Sequence, residues 1–475
     1  MAYKDLVRKN SDTYARERLK WINRNSYFYK DDLNYMKFLI EKDKSVLELG
    51  CGNGHLLNAL NPSYGIGIDI SREMISTAES LFPDLTFVEG DVENKQLLLS
   101  LEGPFDYIVL SDILGYLDDI EGLLDSLHSI SNSDTRIVIA YHSWRWEPIL
   151  KLGEKFKLKM PSIEMNWLSR DDTINFLNLS DFELVKEEWR QLIPRSIFGI
   201  GSIINNFIGP LPIVRRLALR NYVVARPLRN ISSESPSTTV LIPCRNEKGN
   251  VENAIKRIPQ FCDDLEIIYV EGNSEDGTLE EINKLIDKYP EKDIKVFVQD
   301  GKGKGDAVRK GFENARGDIL MILDADLTVP PEDLPKFYKA ISKGKGEFIN
   351  GTRLIYPMDD KAMRFLNFWA NRTFSALFTW LLNQRLTDTL CGTKVLTKRN
   401  YDRIVENRSY FGDFDPFGDF DLIFGSSKLN LKIIEVPIRY AERKYGETQI
   451  SRFSHGVLLL KMVVFAYRKL KIGLR

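Results

Sequence analysis

The sequence predicts two α/β domains, each built around a largely parallel β-sheet. Apolar, strand-like runs alternate with segments of helical periodicity, and this alternation occurs in two separate series. The first series comprises "SVLELG", "YGIGIDI", "LTFVEGD", "FDYIVLSD" and "TRIVIAYH", and the second comprises "STTVLIPCRN", "EIIYVEG", "IKVFVQD" and "DILMILDAD". Buried strands separated by helices are typical of parallel sheets that are covered on both faces.

Length and composition agree with two globular domains. The 475 residues exceed what one hydrophobic core usually serves, and 43% hydrophobic and 28% charged residues are ordinary for a globular protein. The formal net charge of -1 argues against nucleic acid as a partner. The four cysteines have no paired spacing, so we expect neither disulfides nor a zinc site. Cysteines without disulfides also favour a cytoplasmic location. We also expect no signal peptide and no membrane-spanning helix.

A polar, serine-rich segment separates the two series. It reads "RNISSESPS" over residues 229–237, a composition that suits a linker. We therefore expect residues 1–228 to form the first domain, residues 229–237 the linker and residues 238–475 the second domain.

The first domain contains a glycine-rich turn between a strand and a helix, in "SVLELGCGNGHLL". Such a turn lets the backbone approach a ligand closely, and the helix that follows offers free N–H groups. Glu48 precedes the turn within the strand. The next strand ends in Asp69, where a carboxylate can hold both ribose hydroxyls, and the third ends at Asp91, where one can hold an adenine amino group. The turn glycines are Gly50, Gly52 and Gly54.

The order of "LELGCGNG", "GIDIS", "GDVEN" and "FDYIVLSDILGYLDD" resembles that of the class I S-adenosylmethionine-dependent methyltransferases, over residues 33–190. The resemblance implies a Rossmann-like sheet of seven strands with one antiparallel edge strand, here "FELVKEEWRQLI". A nicotinamide dinucleotide fits less well, because the third glycine of its fingerprint is replaced and Asp91 has no role in it. The predicted cofactor-binding residues are Glu48, Gly50, Gly52, Gly54, Asp69 and Asp91.

Methyl transfer from a sulfonium mainly requires the two reactants to be held in line. An oxygen acceptor also needs a base, and His142 is the candidate by position, since it directly follows the fifth strand. A structural role for this histidine is the alternative. The sequence does not identify the acceptor, so a cofactor-binding domain without catalysis stays open.

In the second domain, the strand "DILMILDAD" ends in Asp324 and Asp326. Residues i and i+2 of an extended chain point the same way, so the two carboxylates repel unless something neutralises them. We expect the neutralising group to come from outside the chain. Mg²⁺ or Mn²⁺ suits hard oxygen ligands and a diphosphate, so both acids are predicted metal ligands. The alternative is that they simply begin a turn.

The acid pair stands within an ordered set of motifs: "IPCRNEKGNVENAI", "VEGNSEDGT", "DGKGKGDAVRKGFENARGD", "NGTR" and "TDTLCGTKVL". Over residues 237–452 this order resembles glycosyltransferase family 2, with its doubly wound GT-A fold, and within it the polyprenyl-phosphate enzymes of the dolichol-phosphate mannose synthase type. The resemblance implies inverting, in-line transfer from a GDP- or UDP-sugar. The predicted nucleotide-sugar contacts are Pro243, Glu247, Glu271, Lys302, Lys304 and Asp324.

On the acceptor side, the resemblance places Asp388 near the acceptor and Arg443 on a phosphate. Lys394 stands where the family has an arginine, and Gln449 replaces a lysine. The usual paired aspartates of the second strand read Glu271-Gly272-Asn273, which leaves the nucleotide base open. These departures leave two acceptors open, a polyprenyl phosphate or a lipid-linked glycan.

The segment "FGDFDPFGDFDL" adds four acids among aromatic residues. A phosphate acceptor is already ionised, whereas a sugar hydroxyl needs a base, which Asp388 or Asp419 can supply. The predicted catalytic residues of this domain are therefore Asp326, Asp388 and Asp419, and an ordered surface loop is the alternative for the cluster. The acids of the segment are Asp413, Asp415, Asp419 and Asp421.

Three stretches, residues 191–229, 361–385 and 448–475, contain Arg or Lys among apolar residues and no acid. This pattern suits segments that lie in a membrane interface with cations toward anionic headgroups. Core helices with snorkelling cations, or contacts between domains, are the alternatives. We expect a peripheral enzyme at the cytoplasmic face of the cell membrane, with an amphipathic, membrane-facing C-terminal segment.

The sequence thus predicts a bifunctional enzyme with S-adenosylmethionine and Mg²⁺ or Mn²⁺ as cofactors. It transfers a sugar to a polyprenyl-phosphate acceptor and a methyl group to an unidentified one, in envelope glycan or glycolipid synthesis. The alternative is sugar transfer to a hydroxyl of a lipid-linked glycan, with the first domain a non-catalytic cofactor-binding or docking module. A non-enzymatic membrane scaffold is the third hypothesis.

Overall fold

A computed structural model describes residues 3–228, 235–353, 355, 365–412, 418, 420–439, 445 and 452–472. Side chains are described from residue 371 in the helix that starts at 365 and from residue 456 in the last helix. The chain divides into two compact units. The first comprises residues 1–228 and 471–475, and the second comprises residues 229–470.

The first unit contains a seven-stranded sheet in the order β3-β2-β1-β4-β5-β7-β6, as predicted. Strands β1 to β5 are parallel, while β7 runs antiparallel to both β5 and β6. The central strands β1 and β4 are buried on both faces. The strands are β1 Ser45–Leu49, β2 Tyr64–Asp69, β3 Thr86–Glu89, β4 Tyr107–Ser111, β5 Arg136–His142, β6 Phe182–Arg190 and β7 Arg220–Pro227.

The reversed strand of this sheet is β7, which corrects the prediction for "FELVKEEWRQLI". That segment forms the edge strand β6, but it runs in the same direction as β1 to β5. Strand β7 also falls in the 191–229 stretch that was expected at a membrane interface. Its residues are all buried, and its arginines pair with acids distant in sequence: Arg220 with Asp32 at 2.8 Å, and Arg226 with Glu183.

Helices pack on both faces of the first sheet, and their starts follow ordinary capping rules. Ser71 Oγ accepts from Met74 N at 3.1 Å at the start of α5, and Ser169 and Asp172 form a capping box at α9. The helices are α1 Tyr3–Tyr14, α2 Arg18–Arg24, α3 Ser26–Leu39, α4 His55–Leu60, α5 Arg72–Leu81, α6 Lys95–Leu99, α7 Ile120–Leu127, α8 Glu147–Lys155, α9 Arg170–Leu179 and α10 Ile200–Ile203.

The second unit contains another seven-stranded sheet, in the order β10-β9-β8-β11-β13-β12-β14. Strand β13 runs antiparallel to its neighbours β11 and β12, and the other pairs are parallel. This mixed α/β architecture agrees with the predicted fold class. The strands are β8 Thr238–Cys244, β9 Leu265–Glu271, β10 Asp293–Val298, β11 Ile319–Ile322, β12 Phe348–Thr352, β13 Lys394–Thr397 and β14 Ile433–Pro437.

The helices of the second unit cover this sheet, and α13 lies close to it. A Cβ on Gly311 of α13 would lie 2.2 Å from Leu241 Cδ1 of β8, so only a glycine permits this approach. The helices are α11 Lys248–Arg257, α12 Thr278–Lys288, α13 Lys304–Asn314, α14 Leu334–Ser342, α15 Phe365–Leu382, α16 Lys398–Glu406, α17 Phe420–Lys428 and α18 Arg452–Tyr467.

The other two acid-free stretches contain α15 and α18, which pack on each other. Trp380 of α15 stacks on Tyr467 of α18, with ring centroids 5.5 Å apart. Met462 of α18 is buried, whereas Val457 and Leu460 are exposed. In the described ranges, no helix combines the length and the apolar character that crossing a membrane requires.

Candidate active sites of the two units

The carboxyl ends of parallel strands meet at one edge of a sheet, and in the first unit a cavity of about 510 Å³ lies against this edge. The glycine-rich turn follows β1, Asp69 ends β2, Asp91 follows β3, Asp112 follows β4 and His142 ends β5. Gly50 and Gly52 of the turn line the cavity, and so do the other four side chains. The fold therefore brings together residues that the sequence places in five separate motifs.

Two glycines of the turn allow the backbone to form part of the cavity wall. Gly50 and Gly52 have φ angles of +75° and +53°, in the region that favours glycine. A Cβ on Gly50 would lie 2.7 Å from Ile113 Cδ1. The carboxylate of Asp69 accepts from the backbone N–H of Gly52 at 2.8 Å and of Ser71 at 2.9 Å, so it fixes the turn.

Glu48 and Gly54, two of the predicted cofactor contacts, lie outside the cavity lining. Glu48 is buried and accepts from Leu57 N at 3.0 Å, in the first turn of α4. Loss of water around this carboxyl raises its pKa to about 8. A Cβ on Gly54 would lie 2.6 Å from the Phe87 ring. These two residues therefore support the turn through contacts with Leu57 and Phe87, outside the cavity lining.

Arg18 of α2 lines the cavity and was missed by the sequence analysis. Its Nε is buried and makes no hydrogen bond within the described residues. The same atom lies 3.2 Å from where a Cβ on Gly52 would stand, so the guanidinium borders the glycine turn. A buried, unpartnered N–H at this position fits an anionic group of a ligand. No motif marks Arg18, because it precedes the turn by some thirty residues.

Helix α1 is attached to the loops after β2 and β3 by polar contacts. Lys4 pairs with Asp91 and, at 2.8 Å, with Glu93, while Arg8 donates to the carbonyl of Ile70 at 3.3 Å. None of its described side chains is buried. Asp91, the predicted adenine contact, is thus engaged by a lysine in this structure.

His142 forms a pair with Asp112, its Nδ1 lying 3.0 Å from a carboxylate oxygen. The imidazole stacks on Phe28, with the two rings only 7° from parallel. Arg220 also pairs with Asp112. Burial disfavours the charged carboxylate, but Arg220 and His142 outweigh it and lower the pKa of Asp112. An ionised aspartate that orients an imidazole at a cavity wall is the arrangement a general base needs.

In the second unit, the neutralising group for Asp324 comes from within the chain. Lys304 Nζ, at the start of α13, lies 2.7 Å from Asp324 Oδ1. Burial disfavours ionisation, but Lys304, with Lys394 and Arg353 further away, keeps the pKa of Asp324 below its usual value. A Cβ on Gly392 would lie 1.7 Å from Asp324 Oδ2, so this carboxylate requires a glycine beside it.

Asp326 follows the same strand, and one of its carboxylate oxygens accepts from Thr328 N at 3.1 Å and Thr328 Oγ1 at 2.8 Å. Asp324 and Asp326 are the two carboxylates at this position that offer hard oxygen ligands to a cation. Within the described residues, no group of three or more His, Cys, Asp or Glu side chains is placed to hold a metal ion. A divalent cation at the pair would have to take its other ligands from a substrate and water.

The two acids predicted to face the nucleoside are buried and hold loops. Glu271, at the end of β9, accepts from the backbone N–H of Asn273 at 3.1 Å and of Ser274 at 2.6 Å. Glu247 accepts from Asn250 Nδ2 at 2.7 Å. Pro243 lies near the end of β8, and Lys302 in the loop before α13. These residues all lie at the carboxyl edge of β8, β9 and β10, and Asp324 follows the neighbouring strand β11 at the same edge.

Asp388 and Lys394 do not have the environment that was predicted for them. Asp388 is 2% exposed and accepts from Arg353 N, Nε and Nη2 at 3.0, 2.6 and 2.8 Å. It therefore positions Arg353 and is poorly placed to act as a base. Lys394 is 0% exposed and donates to the carbonyl of Cys391, so its position does not match contact with an acceptor phosphate.

Asp413, Asp415, Asp419, Arg443 and Gln449 lie outside the described residues. Asp421 is described and pairs with Arg408 at 2.8 Å on α17, so it is a structural acid. Two described residues adjoin the site. A Cβ on Gly418 would lie 2.4 Å from Gly305 Cα, and the ring of Tyr445 lies 2.7 Å from where a Cβ on Gly249 would stand.

Comparison with known proteins gives a match for each unit. Residues 21–187 match the family described as methyltransferase domain, and residues 239–404 match glycosyl transferase family 2. A dolichol-phosphate mannosyltransferase of Pyrococcus furiosus is 41% identical over 108 residues, 22% of this chain and 30% of the relative. An undecaprenyl-phosphate 4-deoxy-4-formamido-L-arabinose transferase of Edwardsiella ictaluri is 23% identical over 215 residues, 44% of this chain and 62% of the relative.

The chain therefore spans between about a third and three fifths of the length of these relatives. A solved S-adenosylmethionine-dependent methyltransferase of Thermotoga maritima shares 16% identity and a TM-score of 0.37, covering 46% of this chain and 99% of its own.

Each α/β unit thus contains a domain that matches a transferase family. The first unit contains a methyltransferase domain, and the second contains a domain of glycosyltransferase family 2 whose relatives are named for transfer to dolichol phosphate and undecaprenyl phosphate.

Gly392→Ala is expected to displace the Asp324 carboxylate and lower the free energy of unfolding of the second unit by roughly 1–3 kcal/mol, because the added methyl overlaps that carboxylate. Urea unfolding measures the change. Gly456→Ala is the control, since its Cβ meets no described atom within 4 Å. Equal stability of the two variants would contradict the close approach.

Glu48→Gln is expected to remove a pH dependence from the stability of the first unit. The folded-state pKa of about 8 exceeds the usual 4.5, so the wild type loses stability as pH rises through this interval. Between pH 4.5 and pH 9 the free energy of unfolding of the wild type should fall by on the order of 3–5 kcal/mol relative to that of the variant. Below pH 4.5 the relative stability of the two proteins should change little with pH. Tryptophan fluorescence during urea unfolding reports mainly on this unit, which holds five of the seven tryptophans: Trp21, Trp144, Trp146, Trp167 and Trp189. The exposed Glu79→Gln is the control, and identical pH profiles for all three proteins would contradict the assignment.

Proposed function

We propose that this protein is a bifunctional enzyme that transfers a sugar from a GDP- or UDP-sugar to polyprenyl phosphate, and a methyl group from S-adenosylmethionine. The observation that carries the first activity is the arrangement of Asp324, Asp326 and Lys304 at the carboxyl edge of the second sheet. The names of the relatives, a dolichol-phosphate and an undecaprenyl-phosphate transferase, support a lipid phosphate as the acceptor.

For sugar transfer, Asp324 and Asp326 are the residues that would hold Mg²⁺ or Mn²⁺. The cation, when bound, neutralises the donor diphosphate as it leaves. Lys304, 2.7 Å from Asp324, adds a positive charge beside that position. Positioning and charge neutralisation supply the rate, because in-line inversion at the anomeric carbon requires no covalent enzyme intermediate.

The environment of Asp388 favours a phosphate acceptor over a sugar hydroxyl. A hydroxyl must lose its proton to a base, whereas the carboxylate of Asp388 is buried and bound three times by Arg353. An ionised phosphate needs no base and is attracted by a guanidinium. Transfer to a hydroxyl remains the second candidate, with Asp419 as its base.

For methyl transfer, the cavity of the first unit would hold S-adenosylmethionine against Gly50, Gly52, Asp69 and Asp91. Arg18 fits the methionine carboxylate, because its Nε is buried and unpartnered within the described residues. The bound cofactor supplies an electrophilic methyl group. The pair formed by His142 and Asp112 favours catalysis over a purely cofactor-binding module, since a binding module does not need an oriented imidazole.

We further propose that the enzyme works peripherally at the cytoplasmic face of the cell membrane, in envelope glycan or glycolipid synthesis. A polyprenyl phosphate stays in the bilayer, so its head must reach the site from a membrane surface. The exposed Val457, Leu460 and Val464 of α18, a helix without acidic residues, suit contact with that surface.

The test is to incubate the purified chain with Mg²⁺, undecaprenyl phosphate in detergent and a panel of labelled nucleotide sugars. The label that enters the lipid extract is then counted. Asp326→Asn is expected to lower transfer by at least about a hundredfold, because it removes a charged ligand of the diphosphate-bound cation. Asp300→Asn, an exposed acid paired with Lys310, is the matched control and should keep full activity.

Addition of EDTA should abolish transfer, and Mn²⁺ or Mg²⁺ should restore it. Full activity of Asp326→Asn would contradict the role of the acid pair, and transfer that resists EDTA would contradict the metal. No transfer to undecaprenyl phosphate, with transfer to a lipid-linked glycan instead, would select the second candidate.

A further inference from the structure

The first unit presents an apolar surface on the connection between β6 and β7, which we call the 197–217 segment. Phe198 is fully exposed, Ile213 is 85% exposed, and Ile203, Phe207 and Leu217 are each more than half exposed. Monomeric soluble proteins rarely leave so many neighbouring apolar side chains in water. A surface of this kind is typical of a binding site for an apolar partner.

The tip of this segment is built in an unfavourable backbone conformation. Ile197 and Phe198 have φ angles of +44° and +53°, a region in which a β-branched residue such as isoleucine is strained. The turn is held by hydrogen bonds to Ser196, whose carbonyl accepts from Gly201 N at 2.8 Å and whose Oγ accepts from Gly199 N at 3.2 Å. The exposed ring of Phe198 thus lies on a turn whose backbone conformation is unfavourable.

The charged residues within the β6–β7 connection are all positive. Residues 191–219 contain Arg195, Arg215 and Arg216 and no acidic residue. Arg145 adds a further cation, since its guanidinium donates to the carbonyl of Arg216 at 2.8 Å. Apolar side chains flanked by arginines are what an anionic bilayer attracts, with the apolar groups at the acyl boundary and the cations among the headgroups.

The same surface adjoins the cavity that contains His142. Arg195 lines the cavity, and so do Ile149 and Leu152 of α8 and the adjoining Phe156, three apolar residues that are also more than half exposed. Trp146 ties the start of α8 to the segment, because its Nε1 donates to the carbonyl of Leu217 at 2.8 Å. Residues that both line a cavity and face solvent form its mouth, and this mouth is apolar.

We propose that the methyl acceptor is the hydroxyl-bearing head of a membrane-anchored lipid, and that it enters the cavity from an anionic bilayer on which the 197–217 segment rests. The proposal builds on the methyltransferase function proposed above. The acceptor oxygen forms the bond to the methyl carbon, and the carbon–sulfur bond of S-adenosylmethionine breaks with its electron pair returning to sulfur. The hydroxyl proton passes to Nε2 of His142, the nitrogen that does not face Asp112.

The docking step is tested by flotation of the full chain with vesicles of phosphatidylcholine, with and without phosphatidylglycerol. Phe198→Ser combined with Ile213→Ser is expected to weaken binding to the anionic vesicles by about tenfold, because two apolar side chains leave the bilayer. Leu99→Ser combined with Leu179→Ser is the matched control. Both of those leucines are more than half exposed in the same unit, but they lie outside the segment.

The acceptor class is tested with labelled S-adenosylmethionine and anionic vesicles that contain a total lipid extract of the source cell. We expect the label in the organic phase. Its amount should fall severalfold in the variant with Phe198→Ser and Ile213→Ser, and it should be unchanged in the control with Leu99→Ser and Leu179→Ser. Calorimetric binding of S-adenosylmethionine should be the same in all three proteins, since none of the changed residues lines the cavity.

Three results would overturn the proposal. If Phe198→Ser combined with Ile213→Ser floats with the vesicles as the wild type does, the segment is not the docking surface. If label is found only in water-soluble product while S-adenosylmethionine still binds, the acceptor is not a lipid. A vesicle-independent dimer that the segment variant dissociates would make the surface an interface between copies of the chain. If the wild type fails to bind S-adenosylmethionine at all, the methyltransferase function itself falls, which the calorimetry distinguishes from the other results.

Discussion

A carboxylate at the end of a buried strand loses its water and must be compensated by a cation or an N–H group, and both sites of this protein depend on that constraint. In the second unit, Asp324 is compensated by Lys304. Asp388, buried in the loop before β13, is compensated in the same way by Arg353. In the first unit, Asp112 is compensated by Arg220 and His142. The compensating groups fix the position of each acid, so the charges needed for chemistry are held in place before any ligand arrives.

The two units meet this requirement at the same place in their sheets, although their strand orders differ. In each, parallel strands deliver their last residues to one edge, where helices begin and backbone N–H groups are available. The first unit adds an oriented imidazole, which suits transfer to a group that must lose a proton. The second adds a lysine beside a carboxylate pair, which suits transfer from a diphosphate. The difference in chemistry therefore follows from which side chains end the strands.

The sequence predicted the strands of both series and the residues at their ends, because apolar alternation and turn residues are local signals. It did not predict strand β7, since Arg220 and Arg226 resemble surface cations until Asp32 and Glu183 fold against them. Arg18 and Arg353 were missed for the same reason: their partners or neighbours lie far away in the chain. The motifs drew attention to Glu48 and Lys394, but they do not reveal that both side chains are buried and hydrogen-bonded within the chain, which depends on packing.

Calorimetry of ligand binding is the direct test of whether the chain holds two separate transferase sites. The wild type is titrated with S-adenosylhomocysteine, and separately with UDP or GDP in the presence of Mn²⁺. We expect one site per chain for each ligand. Arg18→Ala should weaken binding of S-adenosylhomocysteine only, and Asp326→Asn binding of the nucleotide only. Competition between the two ligands, or loss of both on either substitution, would contradict two separate sites.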